Sequence, residues 1–488
     1  MRSLNIQPTG IIFRPDSSRV LIRPFIPGDP ARIVNIIGRA LALSETETEE
    51  QLAAVTADFG SRHADIRVIW RQHFEKVRAH VFSSSPLSET RRLYIGALFS
   101  GEYSLEAAAL FNPSIVPHPD QSGLADGELR FILSLRATGE GHVSSIEFRT
   151  GIVRADYSIT VEEPSRFVSS PEVERNPTYR KSIFLHKLME MGFENDWSTL
   201  VMESLGETFT LQGLEKSVQI AIRGKQPLPR EAQRTMECVR WLAESNYEIH
   251  FAPSVAVSER IIFPVSSNES NGMEDARFVR FVEDDGRVVY YATYTAYNGR
   301  AILPQLLETT DFLHFRALTL NGRAVQNKGM AFFPRRIDGR YAMISRQDDE
   351  NLFLMFSDNP HFWSDPKVLQ KPGQPWEMVK IGNCGSPIET DAGWLVITHG
   401  VGPMRKYCIG AMLLDLNDPS KVLGHLSQPM VSPSGNEREG YVPNVVYTCG
   451  ALLHRGRLIL PYAMSDTAAT IVTMKLEDVL GALNPARA

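Results

Sequence analysis

The chain has 488 residues, 43% hydrophobic and 22% charged, ordinary globular values that exclude a disordered or fibrous protein. Fifty-one basic residues against 57 acidic ones leave a net charge of -6, which argues against broad, non-specific nucleic-acid binding. No apolar run approaches the roughly 20 residues of a membrane helix, and the opening MRSLNIQPTG lacks the apolar stretch of a signal peptide.

From the N-terminus, residues 1–94 read as a largely helical extension. Ser44 and Glu47 have capping-box spacing, and Leu52, Val55 and Phe59 follow at helical intervals. Helical character continues through IRVIWRQHFEKVRAHVF to about residue 83. Residues 95–170 read as strands, in FNPSIVPHPD, LRFILSLRA and SSIEFRTGIV. Residues 171–246 form a second helical stretch, with LHKLMEMGF, LEKSVQIAI and a helix opening at Pro229. In that helix Ala232, Met236, Val239 and Ala243 share a face, and Trp241 lies off it, toward another domain.

Residues 247–480 are strand-rich and periodic. FVRFVEDDGRVVYYATYTAY turns at Asp285-Gly286, and FFPRRIDGRYAMISRQ turns at Asp338-Gly339, 53 residues later. Asp-Gly between alternating apolar residues is a strong hairpin signal. Similar units begin near Gly385 and Pro443, and residues 95–170 supply another. Five units of about 40–55 residues predict a mainly β protein, a five-bladed β-propeller with an α-helical N-terminal extension and a helical insertion after the first blade. A β-sandwich array is the alternative. Residues 481–488 are left as a C-terminal tail. The helical parts read as packing and oligomerisation elements, so a homo-oligomer is expected through them.

Cys238, Cys384, Cys408 and Cys449 are scattered with no CxxC pair, and read as reduced thiols of a cytoplasmic protein without a visible zinc site. A GxSxG elbow, a phosphate-binding P-loop, an HExxH helix and a dinucleotide fingerprint are all missing. Polar residues near the blade starts and inner strands are therefore the candidates. Asn112 and Ser114 follow the apolar run AAAL. Glu274 and Asp275 adjoin Arg277; in an extended segment the two carboxylates point to opposite sides, so one can face a channel. A partly buried carboxyl near other acids can hold a raised pKa and donate a proton. Lys328, Arg335 and Arg346 are phosphate-binding chemistry, with Arg336 and Arg340 placed outside. His399 ends an apolar strand beside Gly400, and Tyr462 with Ser465-Asp466 follows another. Arg136 and His142 are further candidates for a sugar site.

The segments FNPSI, ILSLRATGEGH, MEDARFV, NKGMAFFPRRIDGRYAMISRQD, NCGSPIETDAGWLVITHG, LLDLNDPSKVLG and EGYVPNVVYTCG resemble glycoside hydrolase family 130 over residues 95–165 and 247–480. The resemblance implies a five-bladed propeller acting on β-linked mannosides by inverting phosphorolysis, releasing α-mannose 1-phosphate. It places the general acid at Asp275, delivering its proton through the mannose 3-hydroxyl. Phosphate contacts fall on Arg346, His399, Arg335 and Lys328, and mannose contacts on Asn112, Ser114, Arg136 and Asp466. Two departures stand out: Ala276 where many members have proline, and Thr398-His399-Gly400 where many phosphorylases have Tyr-His-Gly. Hydrolysis of β-1,2-mannosides by water is the alternative, with Glu389, Glu439 or Asp466 as base; a non-catalytic sugar-binding propeller is the third reading. The expected partners are a small oligosaccharide and inorganic phosphate as co-substrate, with no metal and no organic cofactor.

Overall fold

The computed structural model describes residues 4–83, 85–174, 178–225, 227–299 and 302–485. Antiparallel β-structure dominates, in five successive sheet units. The first contains Ala109–Pro117, Leu129–Thr138 and Ser144–Val153. The second contains Gly272–Val282, Val288–Tyr297, Ile302–Thr309 and His314–Thr319, with Tyr247–His250 and Glu172–Glu174 added at its outer edge. One parallel pairing, Ser144 with Gly272, joins these two units. The third is a four-stranded meander from Lys328 to Gln370. The fourth is built on Gly393–Val401 and Tyr407–Leu414, and the fifth on Arg457–Met464 and Ala468–Lys475.

Both Asp-Gly hairpins form. Asp338 and Gly339 sit at φ 49° and 72°, the two left-handed residues that a tight turn matching strand twist requires. Apolar clusters fill the gaps between successive sheets. Phe148 meets Phe278 between the first and second, and Phe281 and Tyr291 meet Phe332 between the second and third. Ile344 and Trp394 lie between the third and fourth, and Leu395 and Leu460 between the fourth and fifth. Leu133 and Ile471 fill the gap between the fifth and the first.

Two segments assigned from sequence to the flanks join the sheets. Gln7–Phe13 pairs with Ala468–Lys475 in the fifth sheet, and Asn484–Pro485 pairs with Val422–His425 in the fourth. The capping box at Ser44 is present: its hydroxyl accepts from Glu47 N–H, and Glu47 accepts from Ser44 N–H at 2.7 Å. The N-terminal part also holds two helices that the apolar periodicity does not reveal. Pro30–Ala42 is capped by Asp29, and Glu89–Leu98 is capped by Ser88.

In the second helical stretch, Lys181–Glu190, Asp196–Glu203, Leu211–Ile222 and Arg230–Glu244 pack around a core of their own. Ala232, Met236, Val239 and Ala243 are buried as their shared face predicts. Trp241, half-buried, packs against that same core. The stretch expected to be helical from residue 171 opens instead with the strands Glu172–Glu174 and Thr178–Arg180, and its first helix starts at Lys181.

Candidate active site

All five sheets contribute to one cavity of about 350 Å³. Asn112 and Arg136 come from the first sheet, Asp275 from the second and Lys328 and Arg346 from the third. Lys380, His399 and Tyr407 come from the fourth, and Tyr447 and Asp466 from the fifth. Seven of the nine residues to which the resemblance gives a role therefore meet.

Two facing bulges build the acid end. The ladder of the first sheet slips between Phe111 and Ser114, and that of the second between Glu274 and Arg277. Asn112 and Asp275 occupy these bulges with φ of 48° and 56°, a left-handed conformation that Asn and Asp tolerate best among residues with a Cβ. Asn112 Nδ2 donates to Asp275 Oδ1 at 2.6 Å. The bulge overturns the expectation that Glu274 and Asp275 face opposite ways. Arg136 reaches both, at 2.8 Å to Glu274 and 3.8 Å to Asp275, and Lys328 donates to the other Glu274 oxygen.

Burial drives the Asp275 carboxyl upward, but Arg277, Lys328 and Arg136 and the Asn112 hydrogen bond outweigh it and hold the group below its usual value. The raised acid of the cavity is Asp466, pushed up to about 6 by burial and by the Asp275 carboxylate. It sits with Ser465 in a hairpin turn where both residues have positive φ, 47° and 51°. The carboxyl of raised pKa anticipated at the Glu-Asp pair thus lies in another sheet.

At the basic end, Arg346 Nη1 donates to His399 Nε2 at 2.9 Å. The imidazole must accept there, and burial together with Arg346, Arg277 and Lys380 holds its pKa well below the ordinary value. His399 is neutral, with Nδ1 toward the Cys384 sulfur. Asp349 bridges Arg346 at 3.4 Å and Lys380 at 3.0 Å. Buried Asn112 Oδ1, Arg136 Nε and Arg346 Nε have no partner among the described residues, so the site's walls carry unused acceptor and donor capacity.

Two candidates fall outside. Arg335 pairs side-on with Glu389 at 2.6 and 2.9 Å and lies over the Trp394 ring, in a separate depression. Ser114, 1% exposed, is behind the wall, where its hydroxyl accepts from Phe278 N–H. Arg336 pairs with Glu283 and Arg340 lies over Phe356, also away from the cavity. Glu389 and Glu439 do not line it, and the Tyr462 hydroxyl turns to Glu437. His142 stacks on Tyr441 at 5.6 Å, both exposed.

Sequence reasoning missed Lys380, Tyr407 and Tyr447. Lys380 and Tyr407 both pair opposite Val401, two residues beyond His399 on the same face, so only strand register could have found them. Tyr407 lies parallel to His399 at 5.9 Å. Thr398 is on the opposite face of that strand, 2% exposed.

A family model described as beta-1,4-mannooligosaccharide phosphorylase, that of glycoside hydrolase family 130, matches residues 242–484. The chain is 33% identical over 228 residues to a 1,2-beta-oligomannan phosphorylase of Thermoanaerobacter sp. (strain X514), covering 45% of this chain and 75% of that protein. It is 30% identical over 229 residues to a beta-1,2-mannobiose phosphorylase of Listeria innocua, covering 45% of this chain and 62% of that one. A solved structure of beta-1,2-mannobiose phosphorylase from Listeria innocua with beta-1,2-mannobiose aligns with a TM-score of 0.46 at 20% identity, over 77% of this chain and 92% of that chain.

Proposed function

The chain belongs to glycoside hydrolase family 130, and on that premise we propose that it cleaves β-linked mannosides by inverting phosphorolysis, with Asp275 as general acid. The observation that carries this reading is the meeting of Asp275 with Lys328, Arg346 and His399 in one cavity. In this reading the five sheets are the blades of a five-bladed propeller, the strand Gln7–Phe13 completing the fifth. The mannose ring takes the end with Asn112, Arg136 and Asp466, and phosphate takes the end with Arg346 and Lys380.

A phosphate oxygen attacks the anomeric carbon from the face opposite the leaving group, giving α-mannose 1-phosphate. The bond to the bridging oxygen breaks, and that oxygen receives a proton relayed from Asp275 through the mannose 3-hydroxyl. The phosphate monoester formed releases its own proton, which restores Asp275. No base is needed, since the anion is already a nucleophile; the protein supplies position and charge. Phosphate also offsets the cations that keep Asp275 ionised, so its arrival makes the acid easier to protonate. Neutral His399 orients Arg346 through the Nη1 hydrogen bond, and the positive charge comes from Arg346, Lys328 and Lys380.

Hydrolysis is a second reading favoured by one observation. Asp466 shares the cavity and, at about 6, is largely ionised at neutral pH and able to accept a proton from water. Product analysis on β-1,2- and β-1,4-mannobiose and mannosyl-glucose, with and without inorganic phosphate, separates the two. Mannose 1-phosphate in the α configuration, formed only with phosphate, is the expected product. Free mannose released at equal rates in both conditions would replace phosphorolysis with hydrolysis.

A further inference from the structure

The outer edge of the second sheet, away from the cavity, gathers metal-binding chemistry. Three neighbouring strands bring Glu172, His250 and His314 into one cross-strand row, and Glu174, Glu248 and Arg316 into the next. Strand alternation sends Ile249 and Phe315 into the core, both fully buried, so these two rows project from the opposite face. Ligand atoms of Glu174, Glu248 and His250 lie within 4.8 Å of one another, with His250 Nε2 at 3.8 Å from Glu174. The His314 ring centroid is 4.9 Å from that of His250.

Asp311 Oδ2 accepts from His314 Nδ1 at 2.9 Å, the carboxylate–imidazole contact that fixes a tautomer with Nε2 free to coordinate. Charge points the same way. The carboxylates of Glu172, Glu174, Glu248 and Asp311, with Glu308 beside them, outnumber the guanidiniums near them: Arg316, 3.4 Å from Glu248 and 3.2 Å from Glu308, and more remotely Arg287 toward Glu308 and Arg260 toward Asp311. Tetrahedral coordination with bonds near 2 Å sets ligand atoms about 3.3 Å apart, so Glu174, Glu248 and His250 need close by only about 1–2 Å to hold an ion, with the His314 ring beside them.

We propose that Glu174, Glu248, His250 and His314 bind a divalent transition-metal ion, zinc in the first instance, on the outer face of the second sheet. Two imidazoles with two carboxylates select such an ion over magnesium or calcium, which prefer oxygen donors throughout. Its place in the fold gives it a task. Glu172–Glu174 leads into the helical insertion and Tyr247–His250 leads out of it, so the ion ties the insertion's two stems to each other and to the sheet.

The test uses the full-length chain without a histidine tag, stripped of metal by a chelator. Calorimetric titration with zinc chloride is expected to give one ion per chain. Thermal unfolding is expected to show a rise of about 3 °C at a hundredfold excess over Kd, continuing logarithmically with zinc concentration, with no rise for magnesium. The His250→Gln/His314→Gln double variant should keep the metal-free Tm and lose about tenfold or more in zinc affinity. Glu248→Gln provides a second variant should the first fold poorly, with the same expected loss. Undiminished zinc affinity in a folded variant, or no saturable binding by the parent chain, overturns the proposal.

Discussion

Asp466 shows how far a side chain's chemistry depends on neighbours that are remote in sequence. Its carboxyl titrates at about 6 in the folded protein against the usual 3.8, so the folded state binds the proton more tightly than the unfolded chain. Stability associated with this group is therefore fullest below the unfolded value and falls as pH rises from about 4 to 6. Asp466→Asn removes that penalty. The variant's Tm should exceed the parent's at pH 7.5, by the equivalent of roughly 2–3 kcal/mol, and the gap should close toward pH 4. A gap independent of pH would dismiss the assignment. Asp275→Asn tests the acid itself. Turnover of a natural mannobiose with phosphate should fall about 10²–10⁴-fold, while a nitrophenyl mannoside, whose leaving group needs no proton, should lose far less. Equal losses on both would remove Asp275 from the acid's role. Asp275, Arg346 and His399 were legible because each lies in a short motif at an inner strand. Arg335 misled because its motif neighbours the site along the chain while its side chain pairs with Glu389 on the outside.

At the scale of elements, local chemistry read well and pairing read poorly. The Asp-Gly hairpins and the Ser44 capping box depend on residues within a few positions of one another, and both form. The helix Pro30–Ala42 also carries a local signal, proline at the first turn behind Asp29. The bulge at Glu274–Arg277 is different, because it exists only relative to Thr293 and Thr295 on the partner strand. The strand Gln7–Phe13 is the extreme case: its partners are residues 469–473, at the far end of the chain. It buries Phe13, and Thr9 Oγ1 donates to Ile471 O at 2.8 Å. Deleting residues 1–13 exposes the edge of the sheet that carries Tyr447 and Asp466. We expect a loss of about 3 kcal/mol or more from the buried Phe and the ladder, read by denaturant unfolding, with activity lost in parallel. A truncated chain with unchanged midpoint and turnover would make this strand an ornament.

Over the whole molecule, what joins the parts is as informative as the parts. The helical insertion has its own apolar core, and the sheets are joined by the clusters between them. The N-terminal segment adds to its ladder with the fifth sheet and its apolar contacts at Leu21 and Tyr103 a buried charge cluster. Arg19, fully buried, contacts Glu106 at 2.9 Å and Glu147 at 2.9 Å, while Arg149 contacts the same carboxylates at 2.8 and 3.2 Å. Arg19 also donates to the carbonyls of Ser258 and Ser165, so one guanidinium links the N-terminal segment to the first sheet and to the approach of the second. No sequence pattern marks these four residues, since Arg19 and Glu106 lie far along the chain from Glu147 and Arg149 and all four resemble any other surface charges. Buried ion pairs add little over apolar replacements when the whole set is exchanged, but removing one member strands the rest without solvent. Arg19→Met should therefore cost about 3–5 kcal/mol in denaturant unfolding, far above an exposed salt bridge. The companion variant Arg19→Met/Glu106→Gln should recover part of that loss, because Arg149 and Glu147 then remain as a balanced pair. If Arg19→Met costs less than about 1 kcal/mol, the value of an exposed pair, the cluster is reached by water and does not fasten the N-terminal segment.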